Sequence, residues 1–284
     1  MSKGLLDPKV DFVFKNIFGS PNHPEILISF LNATLKAKKK IVNVDIKKTD
    51  IEKQYIEDKY SRLDVKATTS NDEIINIEIQ LKNENNMVKR SLYYLSKMYE
   101  EQLNEKEDYS KLVRTVCINI LNFKYLKTDN FHTGYRFKEI ESNEELTDIM
   151  EVHFIEIPKL QDSSDEKDML VAWTEFLKDP ESEKVRGLEL SIEEIRQAKD
   201  ELIRMSNDST QRELYDMRAN SLRDKMSELN AAERKGIEKG REEGREEGRK
   251  EEKIKIARNM KLSGLDTNTI AKVTNLSEDE IDKL

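Results

Sequence analysis

The stretch Ile75-Asn76-Ile77-Glu78-Ile79-Gln80-Leu81 alternates between apolar and polar side chains without interruption. A period of two places successive side chains on opposite faces of a β-strand. The apolar residues therefore share one face of the predicted strand, while Asn76, Glu78 and Gln80 share the other. The sequence thus predicts a strand with a carboxylate at the centre of its polar face.

The sequence on either side predicts further strands around this one. Leu63-Asp64-Val65-Lys66-Ala67 alternates in the same way, and the almost continuous apolar run of 112–121 is typical of a strand covered on both faces. Between 88 and 103 the apolar residues return to helical spacing, which predicts a strand–helix–strand crossover. The remaining predicted elements are helices at 7–19, with Pro8 in the first turn, and 25–35, and extended segments at 41–46, 132–140 and 151–157.

The order of these elements predicts the fold class and the domain organisation. Helices and strands are mixed over residues 1–160, which predicts one α/β domain. After about residue 165 the pattern is helical throughout. We therefore expect a helical extension at 161–230, a Gly-Arg-Glu-Glu repeat helix or linker at 231–253, and a small helical module at 254–284.

The composition excludes several classes of protein. Of 284 residues, 37% are charged and 36% apolar, and an apolar fraction below the about 45–50% of ordinary domains indicates a strongly solvated part. No window reaches the about 18 consecutive apolar residues of a membrane span, and the N-terminus lacks the apolar core of a secretory signal. The single cysteine, Cys117, and three scattered histidines exclude a disulfide framework and a Cys/His zinc site. We expect a cytoplasmic protein that binds no membrane.

The net charge of −8 argues against a general nucleic-acid coat, because such binding depends on neutralising phosphates. The charge is unevenly distributed, however, with a net of +3 in residues 1–100 and −11 in the rest. The basic part includes a lysine run between 36 and 48, which is either a solvated connection or a phosphate-facing patch. An acidic total therefore does not exclude DNA as a partner of the N-terminal part.

Two carboxylates are predicted to meet across a hairpin. The turn-rich segment 68–73 joins the two alternating strands, and a hairpin centred on Asn71 sets Asp64 opposite Glu78. Like charges opposed across a ladder are destabilising, and a divalent cation such as Mg²⁺ relieves this because it takes hard oxygen ligands. The alternative is a polar face that meets solvent, with Lys66 screening both acids.

The chain also resembles a known family in an ordered set of motifs. Asp64, thirteen intervening residues and then Glu78-Ile79-Gln80 resemble the PD-(D/E)XK nuclease signature, with glutamine in the usual lysine position. The chain resembles in particular the Rpn family of recombination-promoting nucleases and transposase-like proteins. The matching stretches, which cover about residues 1–160, are Asp7 to Gly19, Arg62 to Val65, Ile77 to Gln80, Lys89 to Tyr94 and His153 to Lys159.

This resemblance implies a restriction-endonuclease-like PD-(D/E)XK core, a mixed sheet flanked by helices, that cleaves DNA with Mg²⁺ or Mn²⁺. It implies that Asp64, Glu78 and the backbone carbonyl of Ile79 hold the metal. Gln80 takes the position of the water-orienting lysine, and its amide could position water but could not stabilise charge as an ammonium does. Lys82 or Lys66 could substitute.

Two further residues are candidates for supporting roles. Arg90, at the start of the predicted helix after the Glu78 strand, could hold a scissile phosphate bidentately or be an ordinary exposed helix residue. Asp11, in the first matching motif, could assist the metal, or it could cap or brace the first helix.

The tail contains a repeat of glycines at every fourth residue, at Gly236, Gly240, Gly244 and Gly248. Each glycine costs a helix about 1 kcal/mol relative to alanine, while each i,i+3 Glu–Arg pair of the repeat returns about 0.2–0.5 kcal/mol. An isolated helix here is therefore marginal. We expect a self-association element that makes the protein a homo-oligomer; a frayed, solvated helix is the alternative.

The last residues, 254–284, have a helix-turn-helix-like pattern with Asp266 and Ser277 as candidate caps. The helix predicted after Ser277 carries four acidic residues, which repel phosphate. We therefore expect a protein–protein or oligomerising module rather than DNA readout at this end of the chain.

The leading hypothesis is a Mg²⁺-dependent DNA endonuclease linked to recombination or transposon-like elements. Its rival is a catalytically weak or inactive nuclease-like domain that acts as an oligomerising interaction module, as the acidic charge and the glutamine at Gln80 suggest. A strand-transferring transposase would need a second catalytic signature, which the sequence lacks.

Overall fold

The computed structural model describes residues 4–36, 39–47, 65–165 and 167–284. The strands of these residues are β1 (Val44–Lys47), β2 (Val65–Thr69), β3 (Ile74–Gln80), β4 (Thr115–Leu121), β5 (His132–Lys138) and β6 (Glu145–Glu156). The α-helices are α1 (Asp11–Phe18), α2 (Pro24–Leu35), α3 (Met87–Glu100), α4 (Met169–Lys178), α5 (Glu183–Glu189), α6 (Glu193–Asn207), α7 (Ser209–Leu262), α8 (Thr267–Thr274) and α9 (Glu278–Asp282).

The strands of the described residues form one six-stranded mixed sheet in the order β1-β2-β3-β4-β6-β5. The central strands β3, β4 and β6 are parallel, whereas β1, β2 and β5 add antiparallel edges. Because parallel neighbours need a crossover, the chain passes from β3 through α3 to β4. The predicted strand–helix–strand unit and the predicted mixed sheet flanked by helices are confirmed.

Different layers cover the two faces of this sheet. The face that carries Ile75, Ile77 and Ile79 packs against α1, α2 and the helices α4–α6 in one large hydrophobic core around Phe18 and Trp173. Burial of such large apolar side chains is the main source of stability. The other face carries a smaller cluster beneath α3, and here polar residues are buried among the apolar ones.

The hairpin between β2 and β3 has the predicted register. Val65 lies opposite Ile77 and Lys66 opposite Asn76, so the hairpin is centred on residue 71. The predicted partner of Glu78, Asp64, lies outside the described residues, as do Arg62 and Leu63.

One strand is longer than its pattern predicts. We expected an extended segment at 151–157, but β6 begins at Glu145. Its first half pairs with β5 in a largely exposed hairpin, with shifts of register after Tyr135 and Phe137. Residues that meet solvent on both faces show no alternation, which is why the pattern missed them.

The described chain divides into two compact units, Met1–Asn220 and Ser221–Leu284. Within the first unit, α4–α6 contribute Trp173, Ile195 and Leu202 to the same core as the sheet. In the second unit a small core of Ala257, Ile270, Leu276 and Ile281 joins α8 and α9 to the end of α7. The predicted boundaries at 160, 230 and 253 remain predictions. None of the described helices is long and apolar enough to cross a membrane.

Candidate functional site

Glu78 lies at the centre of the sheet beneath α3. Its neighbours in the same transverse row are Asn119 on β4 and, beyond it, Phe154 on β6. The polar face of β3 does not meet solvent at this point: Glu78 is only 1% exposed and contacts Arg90 of α3, and Met98 of α3 packs on Ile74 of the same face. The alternative of a solvated polar face is wrong for Glu78 and Asn76.

The carboxylate of Glu78 has one bound oxygen and one unpartnered oxygen. Arg90 on α3 donates from Nε to Glu78 Oε2 at 3.1 Å, and its guanidinium lies 5.3 Å from the centre of the Tyr94 ring. Among the described residues, Glu78 Oε1 is buried and has no hydrogen-bond partner. Such groups are rare in folded proteins and call for a specific explanation.

A second unpartnered oxygen lies two residues away on the same face of β3. Asn76 is fully buried, and its Oδ1 has no partner within the described part of the chain. The rest of the row is better satisfied, since Ser91 Oγ donates to Asn119 Oδ1 at 2.8 Å and Asn119 Nδ2 donates to the carbonyl of His153 at 3.1 Å. On β3 and β4 the unpartnered oxygens of this face are therefore those of Glu78 and Asn76; Thr133 Oγ1 on β5, at the edge of the same row, is a third buried oxygen without a partner among the described residues.

Burial raises the pKa of Glu78; the charge and hydrogen bond of Arg90, and then the nearby side-chain amide of Asn76, oppose this only in part. The same burial raises the pKa of the neighbouring Cys117 thiol to about 12, so this cysteine is an inert core residue. A carboxylate with a raised pKa that keeps a free oxygen is well suited to bind a cation, which would favour its charged form.

The other predicted residues lie on β2, at the end of β3 or directly after it, except Asp64, which is outside the described residues. Gln80 is the last residue of β3 and is partly exposed. Lys66 lies opposite Asn76, and its ammonium is 3.8 Å from Glu101 at the end of α3. Lys82 follows β3 and is also partly exposed.

Asp11 is not brought to this site. It begins α1, whose residues Val13 and Phe14 pack on the opposite, apolar face of the sheet. Its carboxylate accepts from Arg218 on α7 at 2.8 Å, and Arg218 also lies over the ring of Phe12. This placement fits the bracing alternative, in which Asp11 ties α7 to α1.

A metal ion is compatible with Glu78, but the described residues alone do not complete its ligand set. The free Oε1 of Glu78 is the hard oxygen donor that Mg²⁺ prefers. In the part of the chain that the structure describes, no group of three or more His, Cys, Asp or Glu residues could hold a metal. A site here therefore needs Asp64 or backbone oxygens as further ligands.

A second buried polar cluster lies on the other face of the sheet, near β5. His132 and His153 contact each other through Nε2 and Nδ1 at 2.9 Å, and His153 Nε2 binds Glu151 at 2.7 Å. Arg114 forms ion pairs with both Glu151 and Glu73. Sequence reasoning missed this cluster because its members lie on four separate segments, and only His153 fell in a matching motif.

The same motif contains another buried ion pair. Glu156, fully buried, and Lys159 are 2.7 Å apart at the end of β6. Glu156 also accepts from the backbone N–H groups of Tyr125 and Leu126 at 2.5 and 3.2 Å. The pair fixes the loop that follows β4.

The C-terminal module has the predicted caps. Asp266 caps α8, and Ser277 begins α9 with a reciprocal capping box to Glu280. A left-handed Asn275 makes the turn between the two helices. The short α9 exposes Glu278, Asp279 and Asp282, so its outer surface is acidic.

Comparison with known families agrees with this architecture. Residues 8–232 match the family model described as PD-(D/E)XK nuclease family transposase, and residues 250–284 match the Rpn/YhgA-like nuclease family C-terminal HTH domain. Searches of curated proteins and of solved structures found no match. The first model covers well over half of the chain, and both agree with the resemblance in the sequence. The chain therefore belongs to the PD-(D/E)XK nuclease family transposases, with an Rpn-type C-terminal HTH domain.

Proposed function

We propose that this protein is a Mg²⁺-dependent DNA endonuclease whose metal is held by Glu78, Asp64 and the backbone carbonyl of Ile79. The observation that carries the proposal is the buried, unpartnered Oε1 of Glu78. The register of the β2–β3 hairpin, centred on residue 71, supports Asp64 as the second carboxylate. Membership of a nuclease family supports the reaction class.

Keeping the Glu78 carboxylate in the core without a second partner costs free energy of folding. A buried acceptor without a partner costs roughly 1–3 kcal/mol, and more when it is charged. A protein that keeps such a group in its core has a use for it that packing alone does not explain. When bound, Mg²⁺ would activate water and stabilise the charge that develops on a phosphodiester.

The surrounding residues then have distinct tasks. Arg90 orients Glu78 by binding Oε2, which leaves Oε1 for the metal. Gln80, at the open end of β3, would position the attacking water through its amide. Lys66 and Lys82 are the lysines in or directly after the β2–β3 hairpin that could stabilise negative charge in place of the missing lysine.

Incubation of purified protein with supercoiled plasmid tests this proposal. We expect nicking or linearisation with Mg²⁺ or Mn²⁺ that EDTA abolishes. Glu78→Gln removes the charge but keeps an acceptor for Arg90, and we expect it to lower the rate at least about 1000-fold because a metal ligand contributes several kcal/mol. Equal persistence of supercoiled DNA with wild type and Glu78→Gln, under Mg²⁺ and Mn²⁺, contradicts the proposal.

A second candidate is a nuclease-like domain that no longer cleaves DNA and acts as an interaction module. The ion pair between Arg90 and Glu78 favours it, because an arginine already neutralises the charge that a metal would otherwise balance. Calorimetry separates the two candidates. Absence of divalent-cation binding, together with a higher melting temperature for Asp64→Ala, supports the module and contradicts the nuclease.

We further propose that DNA is the partner of the N-terminal unit and that the protein acts in the cytoplasm.

We also propose that the protein self-associates through α7. Around Gly236, Gly240, Gly244 and Gly248, an added Cβ would meet no other described atom within 4 Å, so each position has room for a second helix. Replacement of Gly240 and Gly244 by leucine should shift the oligomer toward monomer in sedimentation experiments. Replacement of the exposed Glu243 by leucine is the matched control, and equal masses for both variants contradict the proposal.

A further inference from the structure

A short loop after β4 is held in place by two buried charged side chains. Glu156 accepts from two of its backbone N–H groups, and Lys159 donates to the carbonyls of Leu126 and Thr128 at 2.7 and 2.6 Å. Burying a lysine and a glutamate is costly unless both are well paired. The loop is therefore built to one conformation, which is unusual for a surface connection.

This loop and β5 present aromatic rings at the surface. The centre of the Tyr125 ring lies 6.4 Å from that of Phe154 on β6, and the centre of the Tyr135 ring lies 6.1 Å from it. Phe154 is buried, whereas Tyr135 is 48% exposed and Tyr125 partly exposed. We call these three residues the aromatic platform.

The aromatic platform lies beside the Glu78 site. Glu156, which fixes the loop, shares a transverse row of the sheet with Leu121 and Gln80. The hydroxyl of Tyr125 accepts from the backbone N–H of Val88 in the first turn of α3, two residues before Arg90. A DNA strand that passes over the end of β3, beside Glu78, would therefore contact the aromatic platform directly afterwards.

The exposed charges around the aromatic platform are mainly positive, which favours binding of a nucleic-acid backbone. Lys124 and Lys127 flank Tyr125 in the loop, and both are exposed, as is Lys89 in the first turn of α3. Asp129 is the acidic residue of the same loop. Exposed lysines contribute phosphate contacts that depend on salt but carry no sequence preference.

We propose that the aromatic platform binds an unpaired stretch of DNA, so that the substrate class is DNA with a single-stranded segment beside the cleaved bond. Bases within a duplex stack on one another and offer only their edges, whereas unpaired bases can stack on exposed tyrosine rings. This proposal rests on the proposed nuclease function, because it names the substrate of that same site.

Binding is measured in EDTA, so that cleavage does not interfere. Fluorescence anisotropy of a labelled oligonucleotide, single-stranded and in duplex, gives the two affinities of the full-length protein. We expect tighter binding of the single strand, weakened at least about fivefold by Tyr135→Ala or by Tyr125→Leu, which keeps an apolar contact to Phe154. Tyr135→Trp should retain binding, and Lys124→Ala with Lys127→Ala should reduce the salt dependence.

Matched controls lie at the far end of β4. Tyr109→Ala removes a tyrosine that is 82% exposed, and Lys111→Ala removes an exposed lysine; neither should alter binding. Unchanged single-strand affinity in Tyr135→Ala and Tyr125→Leu proteins that melt like wild type overturns the proposal, as does equal affinity for the duplex. Failure of the nuclease function would appear separately, as binding in EDTA without cleavage in Mg²⁺.

Discussion

The sheet carries two buried polar clusters on opposite faces, and they differ in how well their groups are satisfied. In the cluster around Glu151, both carboxylate oxygens are bound, one by His153 at 2.7 Å and the other by Arg136 at 3.0 Å and by Arg114. In the cluster around Glu78, one oxygen binds Arg90 and the other has no partner among the described residues.

The pKa values of the two carboxylates differ accordingly. Burial disfavours the charged form of Glu151, yet hydrogen bonds from His153 and Arg114 outweigh it and lower its pKa to about 2. Burial dominates at Glu78 and raises its pKa. We infer that a satisfied buried cluster stabilises the fold, whereas an unsatisfied one has been kept for a ligand.

The largest expected effect comes from removing the more buried of the two arginines in the satisfied cluster, Arg114. Arg114→Met leaves Glu73 and Glu151 buried without their shared partner, so we expect a loss of about 3–5 kcal/mol in the free energy of unfolding. Denaturant unfolding measures it. Arg204→Ala, which breaks an exposed pair with Glu201, should cost less than about 1 kcal/mol. Equal losses of unfolding free energy in Arg114→Met and Arg204→Ala would contradict a stabilising role for the cluster around Glu151.

The same substitution in both clusters sharpens the comparison. Glu151→Gln removes a charge that faces two arginines, and we expect it to lower the free energy of unfolding by about 2 kcal/mol or more. Glu78→Gln removes a charge that burial already disfavours, and we expect a change of less than about 1 kcal/mol. If Glu78→Gln is the more destabilising in denaturant unfolding, Glu78 is a structural residue.

The satisfied cluster should also make stability depend on pH. Burial, with the neighbouring His153, lowers the pKa of His132 from 6.5 to about 4. Below pH 6.5 His132 binds a proton in the unfolded chain but stays neutral in the folded protein until the pH approaches 4. The free energy of unfolding therefore decreases as the pH falls from 6.5 to about 4. The charge of Lys36 also disfavours the protonated form of His132, whereas the charges of Asp168 and Glu151 favour it.

We expect this loss to be about 1–2 kcal/mol, because His132 is partly exposed and the full shift overstates its effect. Melting temperatures measured from pH 7 to pH 4 should decline less in His132→Gln than in wild type. His23→Gln, at a half-exposed position far from this cluster in the sequence, should follow wild type. A decline that is identical in all three proteins would exclude His132 as its source.

The smallest expected effect concerns the space beside His153. A Cβ at Gly134 would lie 3.1 Å from the His153 ring, so Gly134→Ala should cost about 1 kcal/mol by displacing that ring. At Gly187 in α5 an added Cβ meets nothing within 4 Å among the described atoms. Gly187→Ala should therefore stabilise by about 0.5–1 kcal/mol. The same sign for both changes in thermal unfolding would contradict this packing.

The sequence was sufficient to predict the elements that have a clear period. Alternation over 75–81 predicted β3, and turn residues around Asn71 predicted the register of its hairpin because hairpin pairing is local. The continuous apolar run predicted the buried strand β4. Of the candidate site, only the residues of the β2–β3 hairpin itself could be predicted in this way.

What the sequence did not predict depends on contacts between distant segments. The pairing of Arg114 with Glu73 and Glu151 joins three strands or their ends, and no local pattern specifies it. Alternation showed that Glu78 faces away from Ile77 but not that α3 covers that face. The contact of Arg90 with Glu78 needed the orientation of α3 as well, so the role of Arg90 followed only from the structure.

The most direct test of the account is the titration of wild type, Glu78→Gln and Asp64→Asn with Mn²⁺ by calorimetry at pH 7.5. We predict a cation site in wild type whose affinity for Mn²⁺ both variants weaken at least about tenfold, while all three proteins unfold at similar temperatures. Mn²⁺ affinity that is the same in all three proteins, or wild type that binds no cation, would contradict it.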